Sequence, residues 1–162
     1  MSRAPPQEQA AAIVRVKAPN GFLVLLVSSR GTGRWIVPKG WIGRGSAKGK
    51  GSRHTALIEA WEEGGVRGRS SKNPLGFYET FKDEPEACGE AKSTTVIVHL
   101  VDADAIAAEW PEKAERRRIW VTPEEAAEML SEPSLAALVR ASAFTKPLRK
   151  SKRGTCKTGS VG

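Results

Sequence analysis

The chain has 162 residues, 40% of them hydrophobic and 27% charged, which suits one globular domain with its own core and leaves little room for two. Lysine and arginine outnumber the acids by 26 to 18, for a net charge of +8, and no apolar run approaches the roughly 18 residues that a membrane helix needs. The opening MSRAPPQEQ lacks the apolar centre of a signal peptide, and Cys88 and Cys156 stand far apart in polar surroundings; a disulfide framework and a zinc site are both disfavoured, and a reduced, intracellular protein is expected, cytoplasmic and also nuclear.

Residues 10–17, AAAIVRVK, and 22–28, FLVLLVS, are predicted strands joined by the turn-forming Pro19-Asn20-Gly21. The loop SRGTGR leads to a brief apolar piece, Trp35-Ile36-Val37, stopped by Pro38. Residues 40–53, GWIGRGSAKGKGSR, carry five glycines and neither helical nor strand periodicity, so a loop is expected there. His54 to Glu63 is a predicted helix, with Gly64-Gly65 where a left-handed C-cap belongs. Leu75 to Phe81 and Thr94 to Val101 are predicted strands around a turn region, DEPEACGEAK. The stretch VTPEEAAEML, residues 121–130, is a predicted helix with its start marked: Thr122 as N-cap, Pro123 at the first helical position, and Glu124 and Glu125 at the positive end of the dipole. A last helix is expected from Ser134 to Phe144. The chain thus divides into a disordered N-terminus (1–9), one domain (10–145) and a basic, disordered tail (146–162). The element order predicts an α/β fold, a mixed sheet with helices on both sides.

Charge is unevenly placed. Between Glu8 and Glu59 there is no acid but nine basic residues, and the final stretch from Lys146 adds six more without an acid. Such asymmetry predicts a polyanionic partner. Against that background, HTALIEAWEEGGV crowds Glu59, Glu62 and Glu63 at helical spacings of three and four. Like charges so placed repel by on the order of 0.2–0.5 kcal/mol per pair. Hard dications take oxygen ligands, so one or more of them would cancel that repulsion.

The ordered set WIVPKG, EAWEEGGV and WPEKAERRRIWVTPEEAAEML, with AAAIVRV and LVLLVSSR ahead of it, resembles the Nudix hydrolases, and more narrowly the diphosphoinositol polyphosphate phosphohydrolase group. The resemblance implies a Nudix-type α/β/α sandwich and metal-dependent hydrolysis of a diphosphate linked to another group. It further implies Glu59, Glu62 and Glu63 as catalytic ligands for Mg2+ or Mn2+, joined by the backbone at Gly40, with one of the glutamates or a nearby acid as general base. Such ions activate water, orient phosphates and neutralise the leaving oxygen. Two departures stand out. Ile58 occupies the place of the family's arginine, and the longer 40–53 loop has no glutamate.

By this reading the substrates are inositol pyrophosphates, with dinucleoside polyphosphates as a second class. A cage of phosphates needs cations from several segments, arginine for forked contacts and lysine as a point charge. The candidates are Arg15, Lys17, Ser28, Ser29, Arg30, Arg34, Lys39, Lys48, Lys50, Arg53, Arg116 and Arg118, with His54 lining the loop but given no catalytic role. Alternatives are a Nudix enzyme for capped RNA or inorganic polyphosphate, and a catalytically weakened binder of polyanions or RNA. The expected partner is a polyphosphorylated small molecule rather than nucleic acid or membrane, and a monomer is expected.

Overall fold

The computed structural model describes residues 7–81 and 93–150, so the DEPEACGEAK turn region and most of the basic tail lie outside the described residues. In chain order the elements are β1 (Gln9–Ala18), β2 (Gly21–Ser28), β3 (Trp35–Ile36), β4 (Lys39–Trp41), a 3₁₀ turn (Gly45–Ala47), α1 (Ser52–Gly64), β5 (Val66–Ser70), β6 (Gly76–Phe81), β7 (Ser93–Ile106), β8 (Arg118–Val121), α2 (Pro123–Met129) and α3 (Pro133–Ser142). All eight strands join one mixed sheet, with β1 and β7 parallel at its centre and every other pairing antiparallel.

The central strand explains the layering. Ala10, Ala12 and Val14 pack on one face with Ala56 and Ala60 of α1, while Ala11 and Ile13 pack on the other with Leu135 and Val139 of α3. Burial on both faces is why β1 reads as an unbroken apolar run rather than an alternating one. Each Leu or Val so buried stabilises the fold by about 1.5–3 kcal/mol. Alanines on both sides of the β1–α1 contact are joined in the same cluster by Val14, Leu25 and Val27. The predicted sandwich and both helix-capping signals hold: Thr122 accepts from the Glu125 N–H, and Gly65 closes α1 with φ +67°. No helix among the described residues is long and apolar enough to cross a membrane.

Several expectations are corrected. The expected 40–53 loop contains β4 and the 3₁₀ turn, and α1 starts at Ser52. β7 extends to Ile106. β5 was not expected, because VRGRS is too charged to read as a strand. At its N-terminal end the ordered chain includes Gln9, which pairs with Trp41 and Val96.

Arg15 is not available to a substrate. It is fully buried, pairs with Asp102 of β7 at 2.5 Å, and donates to the carbonyls of Ser142, Thr145 and Lys146. Asp102 in turn accepts from the Leu148 N–H at 2.7 Å, so the chain stays fastened to the sheet three residues beyond 145. A guanidinium removed from water demands this many acceptors.

Candidate active site

The three glutamates lie on the second half of α1, with Glu62 and Glu63 in its last turn. That end carries the negative pole of the helix dipole, so it adds to their repulsion rather than relieving it. The helix end is closed by a segment from the opposite side of the chain. The carbonyls of Glu62, Glu63, Gly64 and Gly65 accept from the Glu112 N–H, the Trp110 indole, the Arg118 guanidinium and the Ala107 N–H, at 2.8–3.0 Å. This docking delivers a fourth carboxylate, Glu112, to the cluster.

Oxygen atoms of Glu59, Glu62 and Glu112 all lie within 4.8 Å of one another. Glu63, beside that group, is engaged by other partners. Its Oε1 accepts from Arg116 at 3.0 Å, and its Oε2 faces the Lys39 N–H at 3.4 Å. Arg116, itself buried, also binds Glu112 and donates to the Ser28 carbonyl. The cluster therefore has a cation after all, brought by the segment before β8 rather than by the helix position of Ile58. The 40–53 segment supplies a hydroxyl: Ser46 donates to Glu62 at 2.8 Å.

Burial and mutual repulsion raise the proton affinity of Glu59, and burial that of Glu63. Glu59 is pushed up to about 8, first by burial and then by the charges of Glu63, Glu62 and Glu112. Glu63 is pushed up to about 7 by burial, with Arg116 opposing the rise. Lys39 is lowered from its ordinary value by burial, against the attraction of Glu132. Three carboxylates within reach of one another, one of them holding its proton near neutrality, fit the oxygen-donor set of a hard dication. Gly40 lies against this group: a Cβ there would collide with the Glu59 carboxylate where it now stands.

These groups open on a cavity of about 320 Å³. Of the sequence-predicted residues, Arg30, Lys39, Gly40, Glu59, Glu62 and Glu63 line it. Trp41, Arg44, Ser46 and Glu112 also line it and were not predicted. Arg44 has its guanidinium 5.2 Å from the Trp41 ring centre. The remaining predicted ligands lie elsewhere. Lys17 is near the far end of β1, paired with Phe22. Ser28 is buried and accepts from the Arg117 N–H, and the Ser29 hydroxyl pairs with Thr32. Arg34 faces Glu132 at 3.9 Å. Lys48, Lys50, Arg53 and His54 are exposed and do not line the cavity. Arg116 and Arg118 bind the carboxylate helix and its dock, and neither lines the cavity. Glu112 carried no signal of its own in EKAERRR, since nothing in that run distinguishes a ligand from a surface acid.

Residues 6–141 match the model of the NUDIX domain family. The chain belongs to the Nudix family. Among its relatives is Nudix hydrolase 13, mitochondrial, of Arabidopsis thaliana, 32% identical over 116 residues that make up 68% of this chain and 54% of the relative. Nudix hydrolase 12, mitochondrial, of the same plant is 33% identical over 115 residues, 53% of its length. The chain thus spans about half the length of these plant Nudix proteins. Its fold matches that of a C. elegans Ap4A hydrolase, with a TM-score of 0.57 at 20% identity, covering 86% of this chain and 98% of the other. It also matches the NUDIX domain of Shewanella oneidensis NrtR, solved with ADP ribose, with a TM-score of 0.61 at 15% identity, covering 86% and 90%.

Proposed function

We infer that this Nudix chain hydrolyses a phosphoanhydride bond with divalent metal ions, Mg2+ or Mn2+, held by Glu59, Glu62 and Glu112. The observation that carries this is the convergence of those carboxylates, from two distant segments, beside a glycine whose missing Cβ makes room for Glu59. When bound, the ions supply charge neutralisation on the phosphates and activation of water. The protein's own groups do the rest. Lys39, Arg30 and Arg44 meet the phosphate oxygens from the cavity wall. Arg116 and the Lys39 N–H hold Glu63 in place, and Glu63, with a proton affinity near neutrality, takes the proton from the attacking water.

Substrate size follows from cation number. Three cations line the cavity, enough for a linear diphosphate or triphosphate. The inositol pyrophosphate reading draws on Arg30 and Lys39 but also on Arg34, Lys48, Lys50 and Arg53, which would have to reach in from outside it. A linear polyphosphate joined to another group, as in a dinucleoside polyphosphate, is therefore the substrate the site suits best.

The test is chromatographic identification of the products formed with Mg2+ from a dinucleoside tetraphosphate, an inositol pyrophosphate, a 5′-triphosphorylated RNA and inorganic polyphosphate. Glu59→Gln and Glu112→Gln should weaken Mg2+ binding measured directly, whereas Glu63→Gln should lower kcat with Mg2+ affinity retained. Turnover equal to the parent in all three variants would overturn the assignment.

A further inference from the structure

Not all of the basic residues belong to the catalytic cavity. Gln9, at the start of β1, lines that cavity, and Lys39 and Gly40 pair with the residues that follow it. Lys17 lies eight residues further along the same strand, roughly 26 Å away at about 3.3 Å per residue. That is some three Debye lengths at physiological salt, at about 8 Å each. Cations at this far end do not serve the reacting phosphates.

The chain beyond α3 is strapped across that end. Arg15, buried, donates to the carbonyls of Ser142, Thr145 and Lys146. Leu148 is held on both sides of its backbone, its N–H by Asp102 and its carbonyl by Arg69. Phe144 thus stands on backbone that is fixed before and after it, yet the residue is 90% exposed. Single exposed apolar residues are ordinary. What sets Phe144 apart is the charge beside it.

Lys146, Arg149 and Lys150 are exposed on the strap, and Lys17 is exposed two residues beyond Arg15 on the same face of the strand. None of these four forms an ion pair among the described residues. Two acids lie beneath the strap, and each already has its own arginine: Asp102 pairs with Arg15, and Asp104 with Arg69 at 2.9 Å. Little negative charge is left there to offset the four cations. The sequence runs on through Lys152, Arg153 and Lys157 without an acid.

We propose that this end of the fold is a second binding surface, separate from the hydrolytic site, and that its partner is a single-stranded nucleic acid. Phe144 is a stacking platform for one unstacked base, and the four cations meet the phosphates on either side of it. A polyanion that also carries aromatic rings uses both features at once. A membrane surface uses the charge but not the shape. The apolar face of α3, with Leu135, Ala136 and Val139, is buried in the fold, which leaves one ring rather than a whole helix face for insertion.

The test is fluorescence anisotropy of a 5′-hydroxyl single-stranded RNA of about 12 nucleotides with the full chain and a chelator, so that hydrolysis plays no part. Phe144→Ala should weaken binding about tenfold, the order of one lost base–aromatic stack, with its salt dependence unchanged. Lys146→Gln, Arg149→Gln and Lys150→Gln combined should reduce the slope of log affinity against log salt by about 2, at roughly 0.7 per phosphate on a single strand. Inorganic polyphosphate, which has no base, should bind Phe144→Ala as tightly as the parent. All four side chains are exposed, so these variants should unfold at the parent's temperature. A chain ended at residue 150 should keep the Phe144 effect. Equal RNA affinity in the parent and Phe144→Ala, or an equal loss for polyphosphate, would overturn the proposal. Tighter binding to phosphatidylglycerol vesicles than to RNA, lost in Phe144→Ala, would overturn it in favour of a membrane.

Discussion

Removing the guanidinium of Arg116 tests whether the carboxylate cluster is held together as the geometry indicates. Arg116 reaches Glu63 at 3.0 Å, Glu112 at 3.1 Å and the Ser28 carbonyl at 3.1 Å, and it is 9% exposed. Arg116→Met leaves a buried carboxylate and a buried carbonyl without their donor. Breaking a buried ion pair from one side costs about 3–5 kcal/mol. The lower figure applies here, because Glu63 can take up a proton once its cation is gone. Some 3 kcal/mol corresponds to a fall in Tm of roughly 10 °C for a domain of this size. Glu63→Gln should be much milder alone, since a neutral amide still accepts from Arg116. In the double variant the Arg116→Met penalty should shrink by about 1–2 kcal/mol, because no buried charge is stranded. Thermal and urea unfolding of the four proteins with chelator present measures this coupling. A value within 0.5 kcal/mol of zero, the usual error of additivity for independent sites, would refute the idea that Arg116 is the internal cation of the cluster.

Three further outcomes follow. Gly40→Ala should displace the Glu59 carboxylate and lower metal affinity and activity by about 10–100-fold, the range seen when groups supporting metal ligands are disturbed; Mg2+ titration and product formation check it, with far-ultraviolet circular dichroism unchanged. Glu59 and Glu63 bind protons more tightly folded than unfolded, with values raised from 4.5 to about 8 and about 7. Their contribution to stability is therefore present below pH 4.5 and lost as pH rises through 7 to 8; the chelated protein should show Tm falling from pH 5 to 8.5, and saturating Mg2+ should flatten that slope. Ending the chain at residue 145 strips Arg15 of the Lys146 carbonyl and Asp102 of the Leu148 N–H, and should cost about 2–3 kcal/mol by urea unfolding, whereas ending it at 150 should not.

The fold was legible where one face or both faces of an element are apolar. β1 and β2 read as strands because each is buried along most of its length, and α2 announces itself through Thr122 and Pro123. β5 was illegible for the opposite reason. Arg67 and Arg69 of β5 are not drawn into the core, Arg67 lying over the Trp61 ring and Arg69 pairing with Asp104. Local composition there favours a loop, and only pairing with β7 makes it a strand. The basic residue at position 15 misled for a related reason. In a strand a lone arginine is read as a surface cation, and nothing within β1 reveals that Asp102 will sit beside it after the chain has run another 87 residues.

Half of the site could be read from α1 alone, because the spacing of Glu59, Glu62 and Glu63 is a local property of one helix. The other half depends on a long-range event, the docking of residues 107–118 on the end of that helix. Its four hydrogen bonds satisfy the last carbonyls of α1 and of its C-cap Gly65, so the helix terminus and the carboxylate cluster are completed by the same contact. The docking also redistributes roles that proximity in sequence had assigned otherwise. Glu112 joins Glu59 and Glu62, and Arg116 turns Glu63 toward itself. A helix that keeps two carboxylates at the negative end of its own dipole is destabilised until cations reach it. Arg116 answers part of that charge within the fold. It reaches Glu112 as well as Glu63, and the charge left on Glu59 and Glu62 is what the proposed dication would answer.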